Sequence, residues 1–323
     1  MIKIIPMQTT DIPCAIDLWK QQFVQYCYCD SFPPFHDVGE ATVKKYIEDQ
    51  LSNGNAVVAV KDNEIVGYMA WLTFDFHNER TAFLPVTGYA ASSKDELNIY
   101  PAMYNYVSKK WVEDNRFNHL WMIYFDDEIA KNSLYELGFG SYVIDACQST
   151  DKIMGNVHCD YKIELATIQD TNTLLEIANT SNRYYMDSPI FLKRGTRQIQ
   201  DIQNILEQYF VLVARDGDKI VGVMSFSVNK DFDFEQLTTP DSAYIGNLGA
   251  FIYPEYRGKG VGKALLKNTF DICRESGKSH IHVCFESANP NASNFWPKYF
   301  KPAIRSVRRT VNKDANEYES EHK

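Results

Sequence analysis

The chain has 323 residues, 45% of them apolar and 23% charged, with a formal net charge of −9. That length predicts about two domains, and the composition excludes wholesale disorder. The acidic balance argues against a sequence-independent nucleic-acid binder, which needs a cationic surface, and no apolar run reaches the ~18 residues of a membrane span.

The opening Met1-Ile2-Lys3-Ile4-Ile5-Pro6 then turns polar, without the longer apolar run of a secretion signal. Seven cysteines without paired spacings fit a reducing cytoplasm. Cys27-x-Cys29 has no second pair at zinc-ligand spacing, so no metal site is expected. A strand at Ile2–Ile5 leads to a helix near Ile12–Tyr26, then to an aromatic loop, Tyr26–Phe35 (YCYCDSFPPF). Residues 58–71 (VAVKDNEIVGYMAW) read as a hairpin turning at Lys61-Asp62-Asn63. Another strand, helix and strand follow, then the aromatic turn Leu134-Tyr135-Glu136-Leu137-Gly138-Phe139.

The polar stretch Gln148–Asn156 predicts a linker between a first domain, 1–147, and a second, 157–311, with a polar tail at 312–323. The second half repeats the order of the first. It has a strand at Tyr161–Leu165, a helix near Thr171–Asn179 with the aromatic loop Arg183–Asp187 behind it, and a hairpin at 212–226. Ile65-Val66-Gly67-x-Met69 returns as Ile220-Val221-Gly222-x-Met224. A late aromatic turn, Phe295–Phe300, returns too. Hairpins mixed with helices predict a mixed α/β sheet in each half.

Ala243–Ile252 reads as a strand interrupted by Gly246 and Gly249, as at a bulge or a close backbone approach. Pro254 ends it, and Val261–Glu275 reads as a helix. Between them lies Arg257-Gly258-Lys259-Gly260-Val261-Gly262-Lys263. Glycines let main-chain N–H groups turn toward a ligand, and a helix start adds free donors and about half a positive charge. This segment therefore suits phosphates. It fits neither G-x-x-x-x-G-K-[ST], since Ala264 stands at the hydroxyl position, nor G-x-G-x-x-G, since Lys263 stands at the third glycine.

The run Tyr253–Gly262, with Arg-x-x-Gly-x-Gly as Arg257, Gly260 and Gly262, resembles the acetyl-CoA loop of the GNAT superfamily of N-acetyltransferases. Asn289-x-x-Ala292-x-x-Phe295-Trp296 resembles the same family's next motif, and together they cover about residues 160–311. The first half resembles the family in outline only. At the loop position it reads Thr87–Glu96, and Asp95 and Glu96 would repel a pyrophosphate. The resemblance implies an α/β fold of two tandem GNAT-like domains, each a mixed, mostly antiparallel twisted sheet flanked by helices, the first degenerate. It implies an acetyl-CoA-dependent N-acetyltransferase acting on an amine of a small molecule or a protein, without nucleic-acid or membrane partners. The alternative is a non-catalytic acyl-CoA-binding sensor or scaffold.

The resemblance further implies that the amides of Gly258, Lys259, Gly260, Val261, Gly262 and Lys263 hold the pyrophosphate beside Arg257. Phe251 and Ile252 would pair with the pantetheine arm, and Asn289 and Trp296 would complete the cofactor site. An N–H near Ile252 would face the thioester carbonyl. A lysine-like amine is free in about 1 of 2,500 molecules at pH 7, so a base is useful. Glu286 and Asp241 are the candidates. Trp296 occupies the place of the family's tyrosine acid, and an indole N–H is no useful acid. Tyr299 and Tyr253 are the neighbouring candidates, although a thiolate with pKa near ~8.5 needs no enzymatic acid. Tyr135, in the first half, reads as packing, and Arg305, Arg308 and Arg309 as the solvated face of a strand.

Overall fold

A computed structural model describes residues 1–26, 39–92, 96–152, 154–228 and 241–316. The expected acceptor loop of the first half, including Cys27 and Cys29, lies almost wholly outside these residues, as do Asp95 and residues 317–323 of the tail. The first half runs β1 (Lys3–Pro6), α1 (Ile12–Tyr26), α2 (Gly39–Ser52), β2 (Ala56–Lys61), β3 (Glu64–Ala70), β4 (Leu72–Phe76), β5 (Glu79–Leu84), β6 (Tyr89–Ala91), α3 (Glu96–Glu113), β7 (Asn118–Tyr124), α4 (Glu128–Glu136) and β8 (Gly140–Ser149). The second runs β9 (Lys162–Leu165), α5 (Thr171–Met186), α6 (Ile199–Gln208), β10 (Phe210–Asp216), β11 (Lys219–Ser227), β12 (Ser242–Ile252), α7 (Val261–Glu275), β13 (His280–Glu286), α8 (Pro290–Phe295) and β14 (Lys301–Thr310).

Local chemistry sets the shared pattern. Each half enters its first helix through a short turn closed by an aspartate: Asp11 accepts the Gln8 N–H at 2.7 Å, and Asp170 the Thr167 N–H at 2.8 Å. The β2–β3 turn holds Asp62 and Asn63 at φ of 52° and 64°, the left-handed pair a two-residue hairpin favours. Strand registers then show that β3 with β4 corresponds to β11, and β5 with β6 to β12. Met69 pairs with Tyr89 as Met224 pairs with Ala250, and Gly67 with Ala91 as Gly222 with Ile252. Parallel pairing runs from Thr81–Asn118 to Leu84–Trp121 in one half and from Ser242–His280 to Ile245–Val283 in the other. Beyond those last pairs the strands part in both halves.

The strands form a four-stranded sheet, β1-β2-β3-β6, and a ten-stranded sheet, β4-β5-β7-β14-β8-β13-β12-β11-β10-β9. The centre of the larger sheet corrects the expected domain boundaries. Each half lends its last strand to the other: β8 pairs along β13 from Val143–Glu286 to Ser149–His280, while β14 pairs along β7 from Ile304–Tyr124 to Thr310–Asn118. Gln148 and Ser149 are therefore strand, not linker, and the ten-stranded sheet is shared between 1–147 and 157–311, whereas the four-stranded sheet lies wholly within the first half.

The arginines of β14 are part of this joint, not a solvated face. Arg308 donates to Asn118 Oδ1 and Glu79 Oε2, both at 2.6 Å, and Arg305 to Ser141 Oγ at 2.9 Å. The cores carry aromatic anchors on both sides of the joint, Trp71, Trp111 and Trp121 in the first half and Phe226, Phe270 and Trp296 in the second. Among the described residues no helix is long and apolar enough to cross a membrane, and no group of His, Cys, Asp and Glu is placed to hold a metal ion.

Candidate active site

The parting of β12 from β13 opens a groove. On the β11 side, four residues, Gly246–Gly249, bulge out opposite Ser225, whose hydroxyl donates to Gly246 O at 2.5 Å and accepts the Leu248 N–H at 3.1 Å. Asn247 and Gly249 reach φ of 63° and 62° there, which re-aims the strand. Past the bulge, the Tyr253 N–H donates to Val221 O. By the alternation of an antiparallel ladder, Phe251 also directs its amide and carbonyl toward β11, while Ala250 and Ile252 direct theirs to the open edge. Of the two residues expected to pair with an extended arm, only Ile252 offers its main chain. Phe251 instead buries its ring in the core formed with α5 and α6.

At the end of the groove stands the glycine loop. Gly258 and Gly260 adopt φ of 75° and 81°. Gly260 caps α7 in the left-handed region without a side-chain cap, and a Cβ there would lie 2.2 Å from His158 O. The first helical bond is Ala264 N–H to Gly260 O, so the N–H groups of Val261, Gly262 and Lys263 precede the ladder. Residues 257–263 carry three cations and no carboxylate. Arg257 and Lys259 are exposed, and Arg257 Nε donates to Ile252 O at 3.0 Å. Gly262 lets Ile252 and Phe295 close on the helix, since a Cβ would stand 3.1 and 3.2 Å from them. The uncapped, cationic helix start beside an unpaired strand edge fits a phosphate ester with an extended arm.

The equivalent space in the first half is filled. Tyr89, the counterpart of exposed Ala250, is wholly buried. It packs edge-on against Trp121 at 5.2 Å and Tyr100 at 5.7 Å. Helix α3 begins at Glu96, four residues of sequence separating it from Ala91 where eight separate Ile252 from Val261, and none of the four is glycine or arginine. The carbonyls of its bulge are taken internally: Val86 O by Trp19 Nε1, Thr87 O by Tyr68 OH and Gly88 O by the Ala70 N–H. Tyr135 is 38% exposed, which corrects its reading as packing.

The other mouth of the groove is at the end of β13. Glu286 is buried there, and its Oε1 accepts from Arg194 Nη2 at 2.6 Å. The Arg194 guanidinium lies 3.5 Å over the Tyr185 ring. Burial, and then the Glu286 charge, push the Tyr185 phenol up to about 12. Asn289 caps α8 through its Oδ1 and also accepts from Tyr184 OH at 3.2 Å. The first half borders this mouth. His77 at the β4–β5 turn stands 3.5 Å from Tyr142 OH of β8, and burial, Arg308 and Arg194 lower its pKa.

Three expected site residues are placed differently. Asp241 precedes β12 at the end opposite the loop, roughly 30 Å away by strand rise, and is exposed. It is no base for a reaction at Glu286. Trp296 is 6% exposed and packs on Phe295 and Phe300 in the core, so it supports the groove from behind. Tyr299 rests on Phe295 at 5.1 Å, and its carbonyl accepts from Gln148 and Lys152.

A cavity of ≈ 320 Å³ opens beside the bulge, between α5, the turn at Arg194–Arg197, the start of α6 and Asn247–Leu248. Arg194 and Arg197 were not among the expected residues. Their only signal is the cationic run Lys193-Arg194-Gly195-Thr196-Arg197 before α6.

The sequence model of the acetyltransferase (GNAT) family matches residues 172–300. The L-amino acid N-acyltransferase MnaT of Escherichia coli is 32% identical over 84 residues, which is 26% of this chain and 45% of that protein. An L-methionine sulfoximine/L-methionine sulfone acetyltransferase of Salmonella typhimurium is 32% identical over 81 residues, 25% of this chain and 43% of that protein. The matched stretch spans less than half the length of either relative. Among solved structures, a GCN5-related N-acetyltransferase from Sphaerobacter thermophilus shares the fold over 96% of both chains, with TM-score 0.60 and 14% identity.

Proposed function

We propose, from the premise that residues 172–300 are a GNAT acetyltransferase domain, that the second half moves an acetyl group from acetyl-CoA to an amine of a small molecule or a protein. The observation that carries this reading is the unpaired edge of β12 leading into an uncapped, carboxylate-free helix start at Gly260–Lys263.

In this reading the amides of 258–263 bind the pyrophosphate, with Lys259 and Lys263 adding charge. The open-edge N–H of Ile252, next to the loop, receives the pantetheine arm. The bound thioester supplies an activated acyl carbon. The open-edge N–H of Ala250, farther from the loop and beside the bulge, donates to the carbonyl oxygen as charge develops on it, and one such donor contributes about 2.7–4 kcal/mol. Glu286, held by Arg194, takes the proton from the acceptor ammonium, directly or through water, a role that contributes about 10²–10⁴-fold. The thiolate leaves without an enzymatic acid.

The test is release of free thiol from acetyl-CoA in the presence of amines, with acetyl-CoA binding followed separately. Transfer by the unaltered protein that falls in Glu286→Gln, with the acetyl-CoA Kd unchanged, supports the reading. Acetyl-CoA binding with no transfer to any amine would instead identify a non-catalytic acyl-CoA sensor.

A further inference from the structure

The cavity beside the β12 bulge has one-sided chemistry. Two guanidiniums line it, Arg194 and Arg197, against one carboxylate, Asp201. Asp201 is already engaged, accepting the Gln198 N–H at 2.7 Å in the cap of α6. Arg194 is neutralised by Glu286. Arg197 is not: its guanidinium donates to a neutral amide, Asn247 Oδ1, at 3.1 Å, and among the described residues it has no ion-pair partner. A positive charge left uncompensated in a cavity of a protein with net charge −9 is not the general character of the chain.

The charge is also held in place. Asn179 brackets the Arg197 main chain, accepting its N–H at 2.9 Å and donating to its carbonyl at 3.3 Å. Asn182 Nδ2 donates to Gly195 O at 2.7 Å. The first turn of α6 adds the positive end of its dipole. The floor is Asn247–Leu248, the segment that bends β12 away from β13, so the cavity adjoins the groove.

We propose that this cavity binds a carboxylate of the acceptor through Arg197, and that the acceptor is therefore a small amine carrying a carboxylate close to its amino group. A guanidinium fork and a carboxylate form charge-assisted, paired hydrogen bonds. The short distance from cavity to groove favours a free amino acid over a peptide, whose terminal amine lies far from its terminal carboxylate. This inference rests on the acyl-transfer reading above.

The full chain is assayed for thiol release from acetyl-CoA with the common L-amino acids, the corresponding α-carboxamides, and dipeptides. Carboxamides have the more acidic ammonium and so the larger share of free amine, which makes a preference for the carboxylate a mark of recognition. The expected result is kcat/KM at least tenfold higher for the acids than for both other sets. In Arg197→Ala that preference collapses toward unity with acetyl-CoA Kd unchanged, and Arg197→Lys restores part of it. Thermal melts establish that the variants fold. Amides or dipeptides used as well as acids overturn the inference and leave the acyl-transfer reading standing. An undiminished preference in folded Arg197→Ala overturns the role of Arg197. No transfer to any amine overturns the acyl-transfer reading and this inference with it.

Discussion

In the second half Ala250 is exposed on the open edge of β12, while in the first half its counterpart Tyr89 is buried between Tyr100 and Trp121. The strands part at matching pairs in both halves, Leu84–Trp121 and Ile245–Val283. The fold supplies the gap, and side-chain size decides whether it becomes a site or a core. Trp121 stands where Val283 does, and Tyr124 where Glu286 does, so the filled half lacks the candidate base as well as the space. The helix start agrees: α3 begins at Glu96 with no glycine loop before it, whereas α7 waits until Val261.

The comparison breaks most visibly where an aromatic filler is removed. Tyr89→Ala should destabilise the protein by about 3–5 kcal/mol, the range for losing a large buried aromatic, read as a lower urea midpoint with acetyl-CoA Kd unchanged. Glu286→Gln should lower kcat about 10²-fold while calorimetry finds the same acetyl-CoA affinity. Gly260→Ala forces a Cβ against His158 O and should weaken acetyl-CoA binding at least tenfold, about 1.4 kcal/mol.

The smallest effect concerns a carboxylate of the first half. Asp127 caps α4, accepting the Ala130 N–H at 2.8 Å, as Asn289 caps α8. Burial raises its pKa. Its stabilising contribution is therefore complete below the unfolded carboxyl range and lost as pH rises through the folded value. Asp127→Asn keeps the cap and should stabilise the protein at pH 7 by less than about 1 kcal/mol, with a smaller gain at pH 4. Equal gains at both values would contradict the burial argument.

Much of this was legible in the residues because it is local. The hairpins and the Gly258–Gly262 loop follow from φ preferences and helix-start chemistry that neighbouring residues settle between themselves. The exchange of β8 and β14 was not, because strand pairing across the joint is decided by residues more than a hundred positions apart, such as Val143 and Glu286. Asp241 was misplaced because a sequence does not say which end of a strand faces a ligand. Arg197 was overlooked because nothing near Lys193–Arg197 reveals that the turn folds over the bulge of β12. The three β14 arginines read as solvated because their partners belong to the other half: Ser141 for Arg305, Asn118 and Glu79 for Arg308, and Tyr104 for Arg309.

The central claim is that the second half's groove, and not the first's, receives acetyl-CoA. Titration calorimetry on the full chain and on Ala250→Tyr tests it most directly, since the variant gives the open groove the side chain that fills the closed one. One acetyl-CoA per chain for the unaltered protein, weakened at least a hundredfold in a folded Ala250→Tyr, is the result expected. Two sites per chain, or undiminished affinity in the variant, would contradict it.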